Sequence, residues 1–125
     1  MNCVIADSSK IIRMLLSKII SNLGYTVTEA ENGDELLRQY TQTQPDLIIC
    51  DWDLPLIAGI DALYTIRNNK QIKQPIFIFC AYTKDSRIIN QALNGGADDF
   101  IMRPFDEDII ASKLKLAILN RQRKS

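Results

Sequence analysis

Short β-branched, apolar runs alternate along the chain with longer stretches of helical periodicity. The runs are Cys3–Ala6, Tyr25–Ala30, Leu47–Cys50, Ile76–Cys80 and Phe100–Met102. Between them, Lys10–Leu23 carries Ile11, Ile12, Leu15, Leu16, Ile19, Ile20 and Leu23 at spacings of three and four, which predicts a helix with a wide apolar stripe. Gly24 suits the left-handed stop that follows it. Asp34–Thr43, Ile60–Asn69, Asp85–Asn94 and Asp106–Arg121 repeat the pattern, the last with basic residues in its final turn, where they complement the helix dipole. Strands and helices in strict alternation predict an α/β fold with a doubly wound, five-stranded parallel sheet and five helices on two faces. Leu47–Cys50 and Ile76–Cys80 are apolar throughout, as central strands covered on both faces must be. Tyr25–Ala30 alternates polar and apolar residues, which fits an edge strand.

Length and charge narrow the class. The 125 residues make one domain, 1–125, with enough chain for a single core. The tail 122–125 reads as either a frayed helix end or a linker stub. Lysines plus arginines number 15 and acids 15, so nothing favours nucleic acid or an anionic membrane as partner. No apolar run is long enough to span a bilayer, and no secretory leader is visible. Cys3, Cys50 and Cys80 form no CxxC pair and fall inside strands, which points to packing and a reducing compartment, the cytoplasm. Without histidine, imidazole catalysis and imidazole metal ligation are excluded.

The chemistry concentrates where strands end. Asp7 follows the first run and Asp51 follows the third, so two carboxylates emerge on the carboxyl edge of the sheet, where open α/β proteins place their ligands. Such a pair suits a hard cation such as magnesium, and one member can serve as an anionic nucleophile. Cys80 and Arg103-Pro104 close the fourth and fifth strands on the same edge. A guanidinium facing two carboxylates has the charges that phosphoryl transfer requires. Asp7 also fits an ordinary helix N-cap, and the two roles are compatible.

Four pieces taken together, Val4-Ile5-Ala6-Asp7-Ser8, Asp51-Trp52-Asp53-Leu54-Pro55 with Gly59, Gly95-Gly96-Ala97-Asp98-Asp99-Phe100, and Arg103-Pro104-Phe105, resemble the CheY-like receiver domains of bacterial two-component response regulators. The resemblance covers essentially the whole chain. It implies a flavodoxin-like sheet of order 2-1-3-4-5. It also implies that Asp51 accepts a phosphoryl group from a histidine kinase or phosphotransfer protein. Magnesium would be held by Asp7, Asp51 and the backbone carbonyl of Asp53. Arg103 stands where the family has a lysine that contacts the phosphoryl group. Cys80 stands at the hydroxyl position of the switch, and Phe100 at its aromatic position. The partner downstream is an effector protein or a C-terminal output domain, bound by a surface of the fourth helix, fifth strand and fifth helix. The resemblance also allows a homodimer through the fourth and fifth helices. It makes the chain no enzyme beyond catalysing its own phosphorylation and dephosphorylation.

Three positions depart from the family pattern. Ala6 replaces the first acid of a pair, which weakens the expected metal site. Cys80 offers only a weak S–H donor. Arg103 brings a bulkier planar fork, expected to pair with Asp51 when no phosphate is present. Ala58 before Gly59 is a minor fourth departure. Together they predict slow phosphorylation, and they keep open a pseudo-receiver that binds partners without it. An aspartyl phosphatase built on Asp51-Trp52-Asp53 is a weaker alternative, because the triplet falls on the third strand. Dinucleotide binding is disfavoured, since Asp7-Ser8-Ser9-Lys10 replaces the glycine-rich turn.

Overall fold

The computed structural model describes residues 1–124, without the side chain of Lys124. Strands and helices alternate as β1 (Asn2–Ala6), α1 (Lys10–Asn22), β2 (Thr26–Ala30), α2 (Gly33–Thr43), β3 (Leu47–Asp51), α3 (Gly59–Asn68), β4 (Ile76–Ala81), α4 (Ser86–Asn94), β5 (Asp99–Met102) and α5 (Glu107–Lys124). All strand pairs are parallel, in the order β2-β1-β3-β4-β5, so the expected fold class and topology hold. Boundaries differ from the predicted ones by a residue or so where a polar side chain caps the helix. Asp85 and Asp106, expected inside α4 and α5, instead precede them and accept hydrogen bonds from the backbone N–H of Arg87 and Ile109. α5 runs through Lys124, past its predicted end at Arg121. Of the tail 122–125, Ser125 lies outside the described residues.

Alternation along each strand sorts the core into two layers. Cys3, Ile5, Leu47, Ile49, Ile78, Cys80 and Ile101 face Leu16 and Ile20 of α1 and Ile110, Leu114 and Ala117 of α5. Val4, Ala6, Ile48, Cys50, Phe77, Phe79, Ala81 and Phe100 face Leu36 and Tyr40 of α2, Ala62, Leu63 and Ile66 of α3, and Ala92 of α4. The three cysteines are free and buried, as the packing reading requires. Two glycines matter for geometry. Gly24 adopts φ +98°, which ends α1 as expected. A Cβ on Gly59 would lie 2.9 Å from the Asp51 carbonyl oxygen and 2.9 Å from the Phe79 ring, so only glycine lets α3 start this close to β3.

The amino edge of the sheet is tied by a clamp. Asp98 accepts from the Phe77 N–H at 2.9 Å, from Arg67 Nη2 at 3.1 Å and from Arg121 Nη2 at 3.1 Å. The same arginines donate to the carbonyls of Gly96, Gln74 and Pro75. One carboxylate thereby joins α3, β4 and α5. Asp98→Ala strands the largely covered Arg67 and should lower unfolding free energy by about 2–3 kcal/mol, whereas Arg121→Ala, at the more exposed end, should cost under about 1 kcal/mol. Urea denaturation of both variants reads the difference, and equal losses would show that the clamp does not depend on Asp98.

Candidate functional site

The two-residue period that builds the core also builds the site. Asp7, Asp51, Cys80 and Arg103 share the parity of Ile5, Ile49, Ile78 and Ile101, so all four belong to the α1/α5 side of the carboxyl edge. Backbone bonds extend the ladder past the strands and pin them. The Asp7 N–H donates to the Ala30 carbonyl at 3.0 Å, the Trp52 N–H to Cys80 at 2.9 Å, and the Arg103 N–H to Ala81 at 2.8 Å.

Arg103 stands between the two acids. Its Nη2 lies 2.5 Å from Asp7 Oδ2 and 3.6 Å from Asp51 Oδ1, with side-chain exposures of 5 % for Arg103, 2 % for Asp7 and 16 % for Asp51. The fork reaches Asp51, as expected. It sits chiefly on Asp7, because Asp7 is the more buried acid and gains most from a neutralising partner. Asp7 is engaged on every side: Oδ1 accepts from the Ser9 N–H at 2.8 Å, and its carbonyl accepts from Arg13 at 2.7 Å. Both a metal role and an N-cap role were expected of Asp7. The cap of α1 proper is Ser9, which accepts from the Ile12 N–H, and Asp7 steadies the turn before it. Arg103 Cζ lies 5.5 Å from the Tyr82 ring centroid and 5.8 Å from that of Phe105, within cation–π range. Its Nε is buried with no hydrogen-bond partner among the described residues.

Other expected residues lie close by. Asp53 is exposed in the loop after β3, two residues from Asp51, and its backbone N–H favours the ionised Asp51 carboxylate. Cys80 is fully buried next to Asp51 in register. Burial pushes its thiol up to about 12, with Arg103 opposing and the two acids adding, so it stays protonated and unreactive. Ala6 packs on the other face with Val4, Ala30 and Leu36. Phe100 also lies on that other face. There Trp52, half-buried, meets Phe79 edge-on at 5.0 Å and Phe100 at 6.2 Å. Trp52 therefore joins the residue beside Asp51 to the aromatic layer under β5. Sequence reasoning missed Tyr82, since a lone tyrosine in a loop carries no pattern. It also missed Leu56, whose φ of +69° places an exposed leucine in the left-handed region of the site loop.

The donor set is all oxygen and suits a hard divalent cation. Among the described residues no group of three or more acidic or cysteine side chains converges.

Two strand-end acids beside a basic side chain on this fold are the arrangement that the resemblance implied. The family model for response regulator receiver domains matches residues 3–115, and the chain belongs to that family, the receiver domains of two-component systems. The chemotaxis protein CheY of Thermotoga maritima is 33 % identical over 112 residues, covering 89 % of this chain and 92 % of that protein. The transcriptional regulatory protein KdpE of Mycobacterium tuberculosis is 35 % identical over 115 residues, 92 % of this chain but 49 % of KdpE, so the chain spans about half of that relative. The chemotaxis response regulator CheY4 of Vibrio cholerae superposes with a TM-score of 0.86 at 22 % identity, over 93 % of this chain and 97 % of that one, which shows the shared fold. Members of the family are signalling modules rather than conventional enzymes. Among the described residues no helix is long and apolar enough to cross a membrane.

The site costs stability. Burial, then the charge of Asp7, holds Asp51 above the ordinary carboxylate range, with Arg103 and the Asp53 N–H partly offsetting them. A carboxylate with a raised folded pKa penalises the native state once ionised. That penalty is absent below its unfolded pKa and complete above its folded one. Asp51→Asn should therefore raise the thermal midpoint at pH 7 by ~4 °C, and the gain should vanish as pH falls below about 4. Melting curves across pH check the sign, and a variant less stable than the parent at pH 7 would contradict the burial argument.

Proposed function

We propose that the chain is a phospho-accepting receiver in which Asp51 takes a phosphoryl group from a phosphohistidine of a kinase or phosphotransfer protein. The observation that carries this reading is the placement of Asp51 with Asp7 and a nearly dry guanidinium on one side of the sheet edge. Asp51 is the accessible member of the pair and so the nucleophile; Asp7 is closed in by Arg103, Ser9 and the fold. Transfer forms the bond from the Asp51 carboxylate oxygen to phosphorus and breaks the bond from phosphorus to the donor's imidazole nitrogen. Arg103 offers N–H donors to the phosphoryl oxygens, and its unpartnered Nε adds one more. Magnesium, when bound, neutralises charge on the phosphoryl oxygens; Asp7, Asp51 and the Asp53 carbonyl would hold it. The protein's own chemistry stops at gaining and losing that group on Asp51.

The covalent state then biases the surface of α4, β5 and α5. Leu93, Met102, Ile109 and Leu116 leave large apolar side chains exposed there, suited to an effector, an output domain or a second copy. Cys80 and Phe100 are the proposed switch positions, with Trp52 touching Phe100 from the site side. A specific observation also favours the phosphorylation-independent reading: Asp7 is occupied by Arg103. The aspartyl phosphatase reading has little support, since the triplet sits at the end of the third strand of a receiver.

One experiment decides between them. Intact-mass measurement after acetyl phosphate and magnesium should show a phosphoryl increment in the parent and none in Asp51→Ala. An unmodified parent, with a control receiver modified alongside, would leave the pseudo-receiver as the function.

A further inference from the structure

We propose that Arg103 is the site's resident cation: latched on Asp7 by the rings of Tyr82 and Phe105, it competes with a divalent metal for that carboxylate. The inference rests on the receiver reading for its biological meaning, but its physical content concerns this chain alone. Arg103 and Asp7 form a pair with side-chain exposures of only 5 % and 2 %, so the acid is already neutralised before any metal arrives. The same guanidinium lies 3.6 Å from Asp51 and occupies the space between the two carboxylates. A divalent cation placed on both acids meets a positive charge at contact distance, in a site too dry to screen it.

The latch has three parts. The Asp7 carboxylate supplies charge and one short hydrogen bond. The Tyr82 and Phe105 rings each lie within cation–π reach of the guanidinium, and a planar cation uses such faces where an ammonium cannot match its fork. The Ser9 N–H fixes the other oxygen of Asp7, so the acid does not rotate away from its partner. Against these stands one unsatisfied group, the buried Nε of Arg103. An anion next to Asp51 would offer that N–H an acceptor and draw the fork off Asp7. Phosphoryl group and metal thereby favour each other: the first pulls the guanidinium away, and the second takes the carboxylate it leaves. Tyr82 is a positioning residue in this scheme, acting through Arg103. Its ring is 77 % exposed, so it contributes little to the core and can be changed without unfolding the domain.

Calorimetric titration of the intact chain with magnesium chloride, paralleled by Trp52 emission, tests the latch. Three variants keep the net charge. Arg103→Lys should bind magnesium about 10-fold more tightly than the parent, because the ammonium lacks the planar faces that hold the fork. Tyr82→Ala should tighten it about 3-fold, and Tyr82→Phe, which keeps the ring, should match the parent. Weaker or unchanged binding in Arg103→Lys overturns the proposal. So does a Tyr82→Ala that behaves as Tyr82→Phe does, or the absence of binding heat in all four proteins. The two readings fail separately. A parent that gains the phosphoryl increment while all variants bind magnesium alike loses only the latch. Tightened metal binding in Arg103→Lys and Tyr82→Ala, with a parent that never gains the increment, removes only the phospho-accepting function.

Discussion

The two-residue period of a parallel sheet decides which chemistry can meet in this protein. Asp7, Asp51, Cys80 and Arg103 come from four strands, and each lies an even number of residues from a core isoleucine or cysteine facing α1 and α5. A slip of one residue in any strand would turn its member to the opposite layer. Dry packing excludes that slip: Ile5, Ile49, Ile78 and Ile101 are essentially buried and have no alternative face. The apolar core thus fixes the site's geometry before any polar contact forms. The polar contacts then close the charge balance within it, two carboxylates against one guanidinium.

That balance is incomplete by design of the residues, not by accident of packing. One cation cannot satisfy two acids, and it settles on the drier one. Asp51 is left with the weaker share, a repelling neighbour and a partly desolvated carboxylate, and its proton affinity rises. The condition that weakens its hold on the native state is the one that leaves it accessible for reaction. The clamp around Asp98, at the other end of the sheet, shows the converse arrangement: two guanidiniums on one carboxylate, with the remaining donors on carbonyls. There the excess positive charge is taken up by carbonyl acceptors and the role is mechanical.

The fold was legible because its signals are additive and local. Apolar runs, helical stripes and Gly24 each specify an element, and alternation of element types leaves a parallel sheet as the answer. The strand-end acids were legible for the same reason, since a strand's end is visible in one sequence segment. What escaped was relational. Whether Arg103 prefers Asp7 or Asp51 depends on the relative burial of two acids from different strands, and no linear pattern encodes that. Tyr82 likewise matters only because β4 and β5 are neighbours and its loop overhangs Arg103. Helix starts shifted at Asp85 and Asp106 because a capping side chain and a first-turn acid look alike in sequence.

The separation of layers bears on how a signal would leave the site. Cys80 belongs to the α1/α5 layer and Phe100 to the opposite one, so a thiol at Cys80 does not act on the Phe100 ring by simple side-by-side contact within one face. A weak donor makes that route weaker still. Trp52 offers a different physical link. It follows Asp51 directly, its N–H is fixed to the Cys80 carbonyl, and its ring touches both Phe79 and Phe100. Any change that repositions the β3–α3 loop around Asp51 therefore acts on three packed rings beneath β5. Close-packed aromatic layers move between discrete arrangements rather than deforming smoothly. Cys80 offers only a weak donor on one face of the sheet, whereas the Trp52 ring joins the segment after Asp51 to the aromatic layer on the other, so packing is the more direct physical link between Asp51 and β5.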